Sequence, residues 1–263
     1  MLGIFNKKLV NAPKELNSPA SLQVPAKPKK TQQQLPQDAL KDFLSSHLTN
    51  AFSLSFADKT ATIAFAPPAR PFPNHRLFCG VDDIYCTFLG NLNNLSTLNK
   101  QYGLSKCGNE AMFVIEAYRT LRDRGPFPAH QVLKDLDGSF GFVLYDNKAE
   151  TVFVALGGGG DGGVKLFWGI ASDGSVLISD NLELIKASCA KSFAPFPTGC
   201  MYHSEGGLMS FEHPTNKLKA MPRVDSEGFM CGAIFKVDAY SKTKTMPRVG
   251  REANWAANWG QQA

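Results

Sequence analysis

Asp135-Leu-Asp-Gly-Ser-Phe-Gly-Phe-Val-Leu-Tyr-Asp146 decides how the rest of this 263-residue chain is laid out. Phe140, Phe142 and Leu144 alternate with Gly141, Val143 and Tyr145. Small or apolar residues on both sides of the alternation mark a strand covered on both faces. Leu133 and Leu136 close a short helix before it, and Asp137-Gly138 supplies the turn between them. After it, Asp146-Asn147-Lys148 reads as a turn and Thr151–Ala155 as the returning strand. A hairpin buried on two faces implies sheet packed on sheet, with helices outside.

Upstream, Leu2-Gly3-Ile4-Phe5 is an apolar run where a chain is ordinarily polar and frayed. It is either an edge strand or an N-terminus that occupies an interior site. Residues 11–37 interleave five prolines with Lys27, Lys29, Lys30 and Gln32-Gln33-Gln34, which reads as a surface loop. Lys27-Pro28-Lys29-Lys30 within it has the composition of a weak nuclear import signal. Leu40, Phe43, Leu44 and His47 share a helix face, and Phe52–Phe56 with Ile63 and Phe65 form a hairpin. Leu77–Cys79 and Ile84–Leu89 are strands, the second broken by Gly90-Asn91. Two helices follow, one from Asn93 to Tyr102 ahead of Gly103, the other from Asn109 to Arg124. Arg122 and Arg124 read as cations favouring the C-terminal end of the helix dipole.

Downstream, Gly157–Gly163 lacks the Gly-Lys-Ser/Thr ending of a phosphate loop and reads as a wide turn. Val164–Ile170, Ser175–Ser179, a helix over Leu182–Ala187, and a hairpin of Cys200–His203 with Leu208–Phe211 complete the regular part. The last fifty residues read as less regular. Met-Pro-Arg-Val occurs there twice, at Met221–Val224 and Met246–Val249, too few copies for an array. Trp255 and Trp259, four apart, suit a docking contact.

Composition narrows the function classes. No apolar run approaches the roughly 18 residues of a membrane span, and the first residues lack a secretory signal's apolar core. Six scattered cysteines without Cys-x-x-Cys or zinc spacing read as reduced thiols. The expected location is therefore cytoplasmic, with nuclear entry open through the lysine cluster, and no membrane partner, metal or cofactor is expected. The excess of 28 Lys+Arg over 23 Asp+Glu sits mostly beyond Pro214 and reads as a solvated tail. No nucleic-acid recognition motif accompanies it.

In their order, Met1–Phe5, Leu89-Gly90-Asn91, Asp137–Phe142 with Leu144–Asp146, Gly163–Gly169, Ser179-Asp180 and Phe196–Gly199 resemble the glutaminase domain of class II amidotransferases, asparagine synthetase in particular. Tyr102-Gly103-Leu104 and Leu121-Arg122-Asp123-Arg124 resemble the motifs of the plant aluminium-induced and stem-specific proteins. The resemblance implies an α+β fold, a four-layer α-β-β-α sandwich of the N-terminal-nucleophile hydrolase type. It implies a glutamine amidotransferase type 2-like domain over 1–211, a C-terminal extension over 212–263, and a homodimer. It also implies a role in stress and hormone responses, to aluminium and auxin.

Active relatives of that class would carry a cysteine whose thiolate attacks the amide, with its own α-amine as base. Here that place is taken by Leu2, and so large a second residue disfavours removal of Met1. The oxyanion-stabilising Asn-Gly pair falls on Leu89 and Gly90, with Asn91 following, so the side-chain donor is missing. Such a donor contributes roughly 3 kcal/mol in a working enzyme. The resemblance sets Arg76 against an amino acid's carboxylate and Glu110 against its amine; as ordinary residues they would be a surface arginine and a helix-start glutamate. The expected function is a catalytically inactive domain that binds an amino-acid-like ligand or a protein partner, with Arg76, Gly90, Asn91 and Glu110 as ligand-binding candidates. The alternative is an amide hydrolase with a displaced nucleophile, for which Cys86, Cys107 and Ser139 are available.

Overall fold

The computed structural model describes residues 1–17, 34–47, 50–56, 60–68, 75–104, 108–124, 129–158, 163–224 and 230–242. Most of the proline-lysine loop, Cys107, residues 159–162 of the glycine run, the second Met-Pro-Arg-Val and the tryptophan pair lie outside them. The chain divides into two compact units, each assembled from three separate segments.

The first unit takes Met1–Pro67, Lys165–Pro197 and Lys219–Lys236. Its antiparallel sheet is built from Leu2–Phe5 (β1), Phe52–Phe56 (β2), Ala61–Phe65 (β3), Phe167–Ile170 (β8), Val176–Ser179 (β9) and Phe193–Pro195 (β10), in the order β10-β8-β9-β1-β3-β2. The apolar run at the chain's start is thus an interior strand, held by β3 on one edge and β9 on the other. Helices Pro36–Ser46 (α1) and Leu182–Cys189 (α5) cover one face, where Ala39, Phe43, Ile185 and Cys189 meet Leu2, Ala64 and Leu177. The alternate residues Phe5, Ile63, Val176 and Ile178 are equally excluded from water, so both faces of this sheet are buried.

The second unit takes Pro68–Val164, Thr198–Leu218 and the described residues from Val237 on. Its antiparallel sheet comprises His75–Val81 (β4), Ile84–Leu92 (β5), Gly138–Asp146 (β6), Thr151–Gly157 (β7), Cys200–His203 (β11) and Gly207–Ser210 (β12), in the order β12-β11-β7-β6-β5-β4. The opening hairpin is its centre. Phe140, Phe142 and Leu144 pack under helices Leu95–Gln101 (α2), Glu110–Arg124 (α3) and Ala129–Lys134 (α4), while Val143 and Tyr145 on the other face are also buried. Asn109 starts α3 by accepting the Met112 N–H on its Oδ1 at 2.9 Å.

Three sequence expectations need correcting. Gly90-Asn91 does not break β5, which continues in register to Leu92 opposite Gly138. Glycine reads as a breaker, yet here it supplies a positive φ of 94° inside the ladder. Arg122 is more than a cation at a helix end: its Nη1 donates to Asp146 at 2.6 Å. The described residues of the last fifty include two long strands, Asn216–Val224 (β13) and Met230–Lys242 (β14), which form a separate two-stranded sheet. Arg223 of the first Met-Pro-Arg-Val lies 3.9 Å from the centre of the Phe193 ring and donates through Nε to the Cys231 carbonyl at 3.0 Å.

His203 ends β11 almost fully buried, its Nδ1 accepting the Glu205 N–H at 3.3 Å beside the Phe153 ring. Burial pushes its pKa down to about 4. The unfolded chain takes up the proton near pH 6.5 and the folded chain does not, so stability falls as pH drops from 6.5 toward 4. We expect the chain to be about 1 kcal/mol less stable at pH 5.5 than at pH 7 from this residue. His130 is lowered by burial and by Lys134 and adds in the same direction. Urea titrations at the two pH values check it: His203→Asn keeps an acceptor near Nδ1 and should flatten the difference. An unchanged difference would contradict it.

Candidate functional site

In the first unit, the β9–α5 junction is built around the chain start. The Met1 ammonium donates to Asp180 Oδ1 at 2.7 Å, and Ser179 Oγ donates to the Met1 carbonyl at 2.7 Å. Ser179 Oγ also accepts the Asn181 N–H, while Asn181 Oδ1 caps α5 by accepting from Glu183 and Leu184. Three consecutive side chains thus fix the strand, the ion pair and the helix start. Met1 is 1% exposed and Asp180 12%, so this pair is shielded far better than a surface salt bridge. Leu2, opposite Ala64 and Ser179, directs its side chain into the α1–α5 core. Its position offers no nucleophile, and its side chain is committed to packing.

In the second unit, glycines allow the ends of β5, β6 and β7 to crowd together. Gly90, Gly138 and Gly158 have φ values of 94°, 139° and 77°. A Cβ on Gly90 would lie 2.0 Å from the Ser139 carbonyl oxygen, one on Gly138 2.2 Å from that of Asn91, and one on Gly158 2.2 Å from that of Gly138. Backbone therefore meets backbone where a side chain would otherwise intervene. Ser139 Oγ accepts the Val164 N–H at 3.1 Å and ties the strand to the segment after the glycine run.

The four candidate ligand residues divide between two places. Gly90 faces His75 across the β4–β5 ladder and Arg76 faces Leu89, so Arg76, Gly90 and Asn91 share one end of it. Ile84, Cys86, Phe88 and Leu92 point to the helices, as do Leu77, Cys79 and Val81. Arg76 and Asn91, one step out of phase, belong to the opposite face. Glu110 stands in the first turn of α3, in the helix layer. Arg76 and Glu110 are both partly exposed, and they do not share a face. Of the displaced nucleophiles, Cys86 is fully buried and burial holds its thiol well above the ordinary range, which removes the thiolate.

Sequence reasoning missed a buried carboxylate. Asp146 is 0% exposed; Oδ2 accepts from Arg122 at 2.6 Å and Tyr118 at 3.2 Å, and Oδ1 accepts the N–H groups of Lys148 and Ala149 at 3.0 Å. Burial, then the neighbouring Asp146, push the Tyr118 hydroxyl up, keeping it a donor. Arg122 also donates through Nε to Asp123 at 2.8 Å. The other motif plays a similar part: Tyr102 donates to Asp135 at 3.1 Å, Gly103 takes φ 67° after α2, and Leu104 packs against the core. Arg122 thus fastens α3 to the sheet, whereas Tyr102 ties the end of α2 to the segment after α4. An Asp-Asn-Lys turn was visible in the sequence; the arginine that it captures was not.

Two antiparallel sheets, each with helices on one face, make this a mixed α+β chain. It belongs to the aluminium-induced protein family, whose sequence model matches residues 2–237. It is 36% identical over 158 residues to stem-specific protein TSJT1 of Nicotiana tabacum, covering 59% of this chain and 99% of that protein. Weaker similarity extends to enzymes named glutamine-hydrolyzing asparagine synthetases. A probable synthetase of Dictyostelium discoideum is 40% identical over 70 residues, 27% of this chain and 12% of the enzyme. That of Triphysaria versicolor is 39% identical over 102 residues, 38% of this chain and 17% of the enzyme. The chain thus spans under a fifth of these synthetases' length.

Proposed function

We propose that this chain is a glutamine amidotransferase type 2-like domain of the four-layer N-terminal-nucleophile hydrolase type that does not hydrolyse amides. It serves instead as a ligand-binding or protein-interaction component of plant stress and hormone responses. The observation that carries the proposal is Leu2, 1% exposed in an interior strand where the resemblance puts the nucleophile. Support for the fold comes from two helix-backed sheets whose second faces are also buried. The partial likeness to glutamine-hydrolyzing synthetases makes an amino acid the ligand class to test first. Arg76 would take its carboxylate, with Gly90 and Asn91 at the same end of the ladder. Glu110 fits this less well, because it belongs to the helix layer. A cytoplasmic homodimer, with nuclear entry, completes the proposal.

The purified chain should release no ammonia from glutamine or asparagine above background. Turnover abolished by thiol alkylation would overturn the proposal in favour of a displaced cysteine. In parallel, millimolar glutamine should raise the melting temperature of the unaltered chain and not that of Arg76→Ala. Equal shifts in both would remove Arg76 from the site.

A further inference from the structure

Cys79 lies between two other sulfur-bearing side chains where α3 crosses the β4–β5 hairpin, Cys86 across the ladder and Met112 on the helix. Cys79 and Cys86 are direct partners in the antiparallel register, and both face the helix side. Directly opposed residues have Cβ atoms about 5 Å apart, so their thiols can reach a common point. The Met112 Sδ on α3 lies 4.0 Å from the Cys79 Sγ.

A second contact between the helix and the hairpin lies farther along. Arg119 donates through Nη1 to Asp82 at 2.8 Å, at the two-residue turn where Asp82 and Asp83 adopt φ values of 50° and 65°. Met112 to Arg119 is seven residues, a rise of about 10.5 Å along the helix. Cys79 to Asp82 is three residues, about 10 Å along the strand. The two contacts are in step, so the sulfur cluster is built into the packing of α3 on β4.

We propose that Cys79, Cys86 and Met112 form a binding site for a soft monovalent metal ion, copper(I). Metal–thiolate bonds of about 2.3 Å place three sulfurs in a trigonal plane about 4.0 Å apart, which is the Cys79–Met112 separation. Thiolate and thioether together select copper(I). Zinc wants four donors drawn from thiolate, imidazole and carboxylate, and among the described residues no group of three His, Cys, Asp or Glu side chains is placed to hold a metal. Cys86 is fully buried while Cys79 is partly exposed, so the ion enters from the Cys79 side. Burial keeps both thiols protonated in the metal-free chain. Binding therefore forms two copper–thiolate bonds and one copper–thioether bond, and releases two thiol protons to solvent without any change of oxidation state.

The reduced full-length chain, held without oxygen and given copper(I) as its acetonitrile complex, is titrated against bicinchoninate. One equivalent should stay with the protein, more tightly at pH 8 than at pH 6. Cys79→Ser and Met112→Leu should each weaken retention at least tenfold; the second keeps the side-chain volume. Complete loss of copper from the unaltered chain to the competitor would overturn the site. So would undiminished binding by either variant, since that would assign the copper to other thiols or to the two cysteines alone.

Discussion

Replacing Gly90 with alanine is expected to cost about 4 kcal/mol or more, at the upper end of what one substitution does. The new Cβ would stand 2.0 Å from the Ser139 carbonyl oxygen and 2.7 Å from the Val164 methyl. The first neighbour is backbone in the central strand β6, so no rotamer change relieves the contact. The φ of 94° adds roughly 1–3 kcal/mol for a residue with a side chain. Gly103 provides the control, because its φ is also positive, at 67°, but a Cβ there meets nothing within 4 Å. Gly103→Ala should therefore cost only about 1–2 kcal/mol. Urea titrations of both variants separate strain from collision, and equal losses would show that β5 and β6 part without resistance. Because Gly90 lies beside Arg76 and Asn91, the same substitution should remove the glutamine-induced rise in melting temperature.

Asp146→Ala is expected to destabilise the chain by about 3 kcal/mol, through loss of a buried acceptor that serves four donors. The two turn N–H groups, the Tyr118 hydroxyl and the Arg122 Nη1 would all lose this acceptor. Arg122 is 31% exposed and can turn to water, which holds the cost near the lower end for broken buried pairs. Asp146→Asn retains an acceptor for the turn and should lose about half as much. The measurement is the urea midpoint at constant slope. A loss under 0.5 kcal/mol for the alanine variant would mean that the network is not what fastens α3 to the sheet.

These two sites differ in how far the sequence revealed them. Gly90 was visible as a glycine after a strand, but its usual role as a breaker hid the real one. Whether a glycine ends a strand or lets another strand approach depends on what lies across the ladder, here Ser139, forty-nine positions later. Asp146 looked like an ordinary turn residue, and its turn bonds are indeed made. Its burial and its capture of Arg122 follow only once α3 lies on the sheet with Tyr118 and Arg122 reaching the end of β6. The tail misled for another reason: lysines, Met221 and Pro222 scattered along β13 gave no clean alternation.

What the sequence determined by itself was local and periodic. Alternation over residues 140–145 placed the central strand, the spacing of Leu40, Phe43 and Leu44 placed a helix, and Leu2 removed the expected nucleophile whatever the fold. These follow from backbone geometry and from the chemistry of one side chain, which need no distant partner. Tertiary structure alone decided that β1 is interior and that Met1 meets Asp180. It also separated Arg76 and Asn91 from Glu110 by sheet face, and set Cys79 opposite Cys86 and against Met112. Each of those depends on which strands become neighbours, and long-range pairing is fixed by burial summed over the whole core rather than by any short stretch of chain.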